Sequence, residues 1–221
     1  MRIAVLGTGM VGRALAGRWD ELGHEVTLGT RDPERTREAL AEGGPLADWL
    51  AAHPAVTLAS FADAAGRGEV VVNATSGTVT LDVLGAAGEA NLAGKVLIDV
   101  SNPLDFSAGM PPTLFVKDTD SLGEVVQRSF PAARVVKTLN TLNADLMVHP
   151  ETLAEATSVF VSGDDAEAKA VVVGLLQEFG HSDVIDLGGI ETARGPELWL
   201  PLWLRLMGAL GTAQFNLKIV R

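Results

Sequence analysis

Residues 1–33 read MRIAVLGTGMVGRALAGRWDELGHEVTLGTRDP, and this stretch decides the fold. Ile3 to Leu6 is a short apolar run suited to one buried strand, and Gly7, Gly9 and Gly12 follow in the spacing G-x-G-x-x-G. Arg13 to Leu22 carries helix-forming residues, Gly23 stops them, and Glu25 to Leu28 suits a second strand. In a strand–turn–helix unit the first glycine permits the tight turn. The second lets a pyrophosphate approach the backbone, and the third lets helix and sheet pack closely. The helix start adds free N–H groups and the positive end of a dipole. The motif follows a strand and opens a helix, which is the context that makes it a dinucleotide site and not a turn chosen for packing alone.

The end of the second strand bears on which dinucleotide. An acidic residue about 20 residues past the glycines holds the ribose hydroxyls in NAD sites. Here the order is Gly29-Thr30-Arg31-Asp32, with Arg35 four residues beyond Arg31. A hydroxyl and guanidinium groups suit a 2′-phosphate, which arginine holds with paired charge-assisted bonds. NADP is therefore expected, through Thr30, Arg31 and Arg35, with Asp32 on an NAD ribose as the alternative.

Outward from this unit the pattern repeats. Strands are expected at 56–58, 70–74, 96–100, 134–139, 157–162 and 184–187, with helices between them. Alternation of this kind predicts a doubly wound parallel α/β sheet. Residues 104–120 read as a long loop, Ser121-x-x-Glu124 as a capping box, and Asp164 as the cap of a helix running to Phe179. The expected organisation is a nucleotide-binding domain over 1–150 and a small C-terminal α/β extension over 151–221, ending in an apolar helix. That boundary rests on topology alone, because composition shifts sharply nowhere.

The 221 residues, 47% hydrophobic and 20% charged, describe a globular chain able to bury a substantial core. A net charge of −11 argues against a general nucleic-acid binder. The absence of cysteine excludes thiol catalysis and disulfides, and the absence of tyrosine excludes tyrosine-based acid–base chemistry. His24, His53, His149 and His181 show no metal-ligand spacing, so no metal site is expected. Met1 leads straight into the first strand and no apolar run is long enough to span a bilayer. A cytoplasmic protein without membrane contact is the simplest expectation.

Ligands of open α/β sheets lie beyond the carboxyl ends of the strands. That rule selects Gly7–Gly12 (Thr8, Met10 and Val11 included), Thr30-Arg31, Asn73-Ala74-Thr75-Ser76, Ser101-Asn102-Pro103 and Leu139-Asn140-Thr141. Small polar residues fill these loops, and turns favour the same residue types. Lys137 falls inside a strand and reads as a sheet-edge or surface lysine. Acid–base groups are scarce in the loops. Reduction of a carbonyl needs a proton donor at its oxygen, whereas a flavin-like ring disperses the incoming charge itself.

Several of these stretches together resemble the coenzyme F420-dependent NADP oxidoreductase family: the N-terminal motif, the Gly-Thr-Arg after the second strand, Asp99-Val100-Ser101-Asn102-Pro103, and Val136-Lys137-Thr138-Leu139-Asn140-Thr141. The resemblance extends to Ser162-Gly163-Asp164-Asp165 and the C-terminal helix. The Lys-x-x-Asn-Thr stretch is also similar to the reductase domain of transmembrane ferric reductases. The resemblance implies a Rossmann domain with a small C-terminal domain, a homodimer, and hydride passing between NADPH and the deazaflavin coenzyme F420 or a flavin. It implies 2′-phosphate contacts at Thr30, Arg31 and Arg35 and a pyrophosphate loop at Gly7 to Val11. A nicotinamide region is implied at Asn73-Ala74-Thr75, Ser101 and Leu139-Asn140. The acceptor ring is expected between the Asn73–Ser76 and Asn140–Thr141 loops, with Leu139, Leu206 and Met207 as apolar lining and the C-terminal helix or the 104–120 loop closing the far side. A reductase of a small carbonyl or imine, and a non-catalytic NADP-binding sensor, stay open as alternatives. Trp199, Leu200, Leu202, Trp203, Leu206, Met207 and Leu210 make the last helix apolar over more than one face, which predicts burial, at a dimer interface or in the C-terminal core.

Overall fold

The alternation read from the sequence becomes one eight-stranded sheet in the computed structural model, which describes residues 1–221. The first half runs β1 (Arg2–Leu6), α1 (Met10–Glu21), β2 (Glu25–Thr30), α2 (Pro33–Leu40), α3 (Pro45–Ala52), β3 (Thr57–Ser60), α4 (Phe61–Arg67), β4 (Val70–Asn73), α5 (Thr80–Ala87), α6 (Glu89–Leu92) and β5 (Val96–Asp99). The second half runs β6 (Leu104–Asp105), β7 (Thr113–Leu114), α7 (Leu122–Ser129), β8 (Arg134–Thr138), α8 (Ala144–Val148), β9 (Ser158–Ser162), α9 (Ala166–Glu178), β10 (Asp183–Gly188), α10 (Arg194–Leu198) and α11 (Leu200–Leu210). The sheet order is β3-β2-β1-β4-β5-β8-β9-β10. All pairs are parallel except β8–β9, so β9–α9–β10 is a parallel unit added antiparallel to the Rossmann sheet.

Burial on both faces explains the continuous apolar strands. Along β1, Ile3 and Val5 enter one core with Trp19 of α1, Met147 of α8 and Leu176 of α9. Ala4 and Leu6 enter the other with Ala64 of α4, Leu84 of α5 and Val126 of α7. The fold is thus doubly wound, and its strand order reverses between β1 and β4, where such sheets open a ligand crevice.

Three local expectations are corrected. Residues 104–120 hold a short hairpin, because β6 and β7 pair antiparallel in the registers Leu104–Leu114 and Asp105–Thr113. Asp165, not Asp164, caps α9 by accepting from the Ala168 N–H, while Asp164 accepts from the Ile190 N–H. The last helix is not buried within the chain. Only Leu200 of α11 is buried, and Leu202 and Leu210 are 48% and 57% exposed. No helix is long and apolar enough to cross a membrane.

Candidate active site

The β1–α1 turn is built as a cradle. Gly7 sits at φ +119°, where a side chain would also lie 2.7 Å from the Ala74 carbonyl oxygen. A side chain at Gly12 would fall 2.0 Å from the Gly7 carbonyl oxygen, so helix and strand meet backbone to backbone there. Gly9 differs, since nothing lies within 4 Å of the position its Cβ would take. Gly9 is the N-cap of α1 and supplies no side-chain cap, which leaves the first-turn N–H groups facing that open space. Arg13 donates to the Thr8 carbonyl and steadies the loop. This cradle fits a pyrophosphate.

At the end of β2, Thr30, Arg31 and Arg35 line a cavity of about 830 Å³ closed by the 39–47 segment. Arg31 and Arg35 are exposed and their guanidinium groups carry no ion pair within the chain. Asp32 is committed elsewhere: its carboxylate accepts from the Arg35 N–H as the cap of α2. The Thr30 hydroxyl is 3.0 Å from that of Thr36. Two free guanidinium groups and an engaged carboxylate fit a 2′-phosphate better than a diol.

A second cavity of about 680 Å³ lies over the carboxyl ends of β1, β4 and β5. The predicted residues Met10, Val11, Ala74, Thr75, Ser101 and Asn102 line it. The far side is lined by Leu104 and Phe106 from residues 104–120 and by Trp203 from α11, the two segments expected there although these residues were not singled out, and by Met147, Ala213 and Gln214, which were not expected. Trp203 stacks on Phe215 with ring centroids 5.3 Å apart, and its buried indole N–H has no partner. Leu206 and Met207, on the same helix, are half-buried and, contrary to expectation, do not line this cavity. The only ionisable group in the lining is Asp145, which accepts from Gln214.

The other predicted residues lie beneath this cavity. Asn73 is fully buried, donates to Asp99 and Thr80, and accepts from the Thr75 hydroxyl. Asn140 donates to the Asn102 carboxamide oxygen and the Pro196 carbonyl, while Asn102 donates back to the Asn140 carbonyl. Leu139 holds φ +59° although buried, a left-handed conformation costing a non-glycine residue about 1–2 kcal/mol. Its carbonyl accepts from the Leu142 N–H, and the turn delivers Leu142 and Asn143 to the cavity wall. Thr141 is buried in the same turn.

The largest correction concerns Lys137. It is neither at an edge nor at the surface, because β8 lies between β5 and β9 and its ammonium is fully buried. Parallel register sets Asn73 beside Asp99 and Asp99 beside Lys137. The ammonium lies 2.8 Å from Asp99, 2.9 Å from Glu197 and 2.5 Å from the Ser101 carbonyl. Burial opposes its charge, but Asp99 and Glu197 outweigh burial and hold the Lys137 pKa above the ordinary lysine value. Glu197 also accepts from the Leu122 and Gly123 N–H groups at the start of α7. No local pattern marks this triad, since Glu197 is 60 residues from Lys137 and only the packing of α10 against α7 unites them.

The fold and site are those of an NADP-dependent oxidoreductase built on a Rossmann sheet. Residues 2–103 match the family model described as NADP oxidoreductase, coenzyme F420-dependent. An F420-dependent NADP reductase of Methanothermobacter marburgensis is 30% identical over 212 residues, covering 93% of this chain and 92% of the relative. The rat metalloreductase STEAP3 is 28% identical over 208 residues, covering 91% of this chain and 38% of its own length. A crystal structure of a candidate F420-dependent NADP reductase from Arthrobacter sp. FB24 is 62% identical, covers all of both chains and superimposes with a TM-score of 0.96. The chain belongs to the coenzyme F420-dependent NADP oxidoreductase family.

Proposed function

We propose that the protein transfers hydride between NADPH and a deazaflavin of the coenzyme F420 type, or a flavin, in the cavity over β1, β4 and β5. The observation that carries this reading is the composition of the cavity wall. It is lined by Met10, Val11, Leu104, Phe106, Met147 and Trp203, and no histidine, lysine or arginine is among its residues. Such a wall grips a planar ring by its faces and offers no proton donor of the strength a ketone requires. Asp145, tied to Gln214, is placed as an acceptor. The bound nicotinamide supplies the hydride, and the reduced acceptor takes its proton from solvent.

The chain supplies binding and alignment. Gly7, Thr8, Gly9, Met10, Val11 and Gly12 hold the pyrophosphate, and Thr30, Arg31 and Arg35 hold the 2′-phosphate. Ala74, Thr75, Ser101 and Asn102 flank the nicotinamide. Asn73, Leu139, Asn140 and Thr141 fix those loops from below, so Asn140 and Thr141 act by positioning. Residues 151–221 form the acceptor-side and dimerisation unit. The exposed apolar face of α11 supports a homodimer with this helix at the interface.

The test is NADPH oxidation, followed by absorbance, against F420, FMN, FAD and a panel of carbonyls and preformed imines. Turnover with F420 or a flavin well above every carbonyl and imine is expected. Turnover confined to carbonyls or imines would replace this reading with a carbonyl or imine reductase, and NADPH binding without turnover of any acceptor would favour a sensor.

A further inference from the structure

The Lys137 triad contacts neither cavity directly, yet its charge does not cancel. Asp99 accepts from the Asn73 side-chain amide, the Ser101 N–H, the Ser101 hydroxyl and the Lys137 ammonium. Glu197 accepts from the Leu122 and Gly123 N–H groups and from Lys137. Asp99 thus accepts from four donors and Glu197 from three, the Lys137 ammonium being shared, so the triad sets two carboxyl groups against a single ammonium. Two carboxylates and one ammonium leave one net negative charge, buried in low dielectric. The first turn of α7 offsets part of the charge on Glu197. Arg194, the cation packed nearby, is spent on Glu124. Asp99 and Lys137 both bond to Ser101, which lines the cavity, whereas Glu197 bonds to Lys137 and to the start of α7. The net negative charge therefore sits one residue beneath the cavity wall.

We propose that the Asp99–Lys137–Glu197 triad is a fixed negative charge beneath the nicotinamide pocket, which favours the cationic, oxidised ring of NADP+ over the neutral ring of NADPH and so promotes hydride release. The inference rests on the placement of the nicotinamide beside Ser101. Asp99 is then a positioning and electrostatic residue, acting through Ser101 without touching the substrate. A unit charge on the order of 10 Å away, through an effective dielectric of about 20 to 40, biases one charge state by roughly four- to sixteenfold.

The test is the ratio of the Kd values for NADP+ and NADPH, measured by calorimetry or fluorescence with no acceptor present. Asp99→Asn should weaken NADP+ relative to NADPH by about four- to sixteenfold. Glu197→Gln, which removes a charge with no bond to Ser101, should move the ratio in the same direction by about twofold. Asn140→Ala disturbs the same loops without changing charge, and should move both affinities together. If Asp99→Asn fails to fold, Glu197→Gln decides the sign. A ratio that stays at the wild-type value in the carboxylate variants, or that Asn140→Ala shifts equally, would overturn the proposal. Wild-type protein that binds NADP(H) but turns over no flavin or deazaflavin would instead remove the proposed reaction and leave this ratio measurable.

Discussion

Replacing Lys137 with methionine keeps most of the side chain's apolar stem and removes its charge. In the wild-type chain this ammonium satisfies Asp99, Glu197 and the Ser101 carbonyl at 2.5–2.9 Å, all beneath the surface. The variant strands two buried carboxylates. Breaking a buried ion pair by removing one partner costs about 3–5 kcal/mol. Asp99 keeps three donors and Glu197 keeps two backbone N–H groups, which places the loss near the lower end, about 3 kcal/mol. For a chain of this length, about 2–4 °C per kcal/mol converts that to a fall in Tm of roughly 6–12 °C. The assay is urea and thermal unfolding followed by circular dichroism. Adding Glu197→Gln to Lys137→Met should restore part of the loss by removing one stranded charge. A loss below about 1 kcal/mol, or no recovery in the double variant, would refute the electrostatic reasoning and leave only a packing defect.

Arg31→Ala should weaken NADPH roughly 10- to 150-fold while NADH changes little, because a hydrogen bond to a charged group contributes about 1.5–3 kcal/mol; equal loss of both cofactors in a binding titration would dismiss the 2′-phosphate assignment. Gly9→Ala should leave stability within about 0.5 kcal/mol, since its Cβ meets open space, and yet cut NADPH affinity. Gly12→Ala, forced against the Gly7 carbonyl, should cost about 1–3 kcal/mol of stability as well, and melts paired with titrations separate the two. Burial holds the pKa of His181 below its ordinary value, with the Met147 carbonyl and Glu151 opposing. The unfolded chain therefore binds the extra proton first, and stability should fall as pH drops through about 6.5 and continue to fall until the folded state also protonates. His181→Gln should flatten that slope between pH 7.5 and 5.5, and an unchanged slope would show that another group sets it.

The cradle was legible because its physics is local: Gly7, Gly9 and Gly12 serve one turn, and Arg31 follows its strand directly. The doubly wound sheet followed from apolar runs of strand length separated by helices, while its order and the antiparallel β8–β9 pair came only with the structure. The outer wall of the cavity was legible as segments, residues 104–120 and the C-terminal helix, but not as residues, since Phe106 and Trp203 reach it from a hairpin and a helix whose placement depends on tertiary packing. Lys137 was misread for a definite reason. A lysine in a strand is ordinarily solvated, and only the parallel register that sets Asp99 beside it, with the arrival of Glu197 from α10, makes burial tolerable. Asn73 and Asn140 were found by the strand-end rule, but their side chains are spent within the protein, Asn73 on Asp99, Thr80 and Thr75 and Asn140 on Asn102 and Pro196, a distinction that polarity and spacing do not encode. The exposed face of α11 shows the converse limit, because periodicity marks a surface for burial without saying what covers it.

Under the proposed function, hydride passes directly from NADPH to a ring seated in the cavity between α1, the β6–β7 hairpin and Trp203. The measurement that tests it is reduction of F420 with NADPH deuterated at the transferring position, followed by mass spectrometry of the product. The account predicts one deuterium on the deazaflavin carbon for each NADPH consumed. NADPH consumption with no deuterium in the product, or transfer only to a carbonyl or imine carbon, would contradict it.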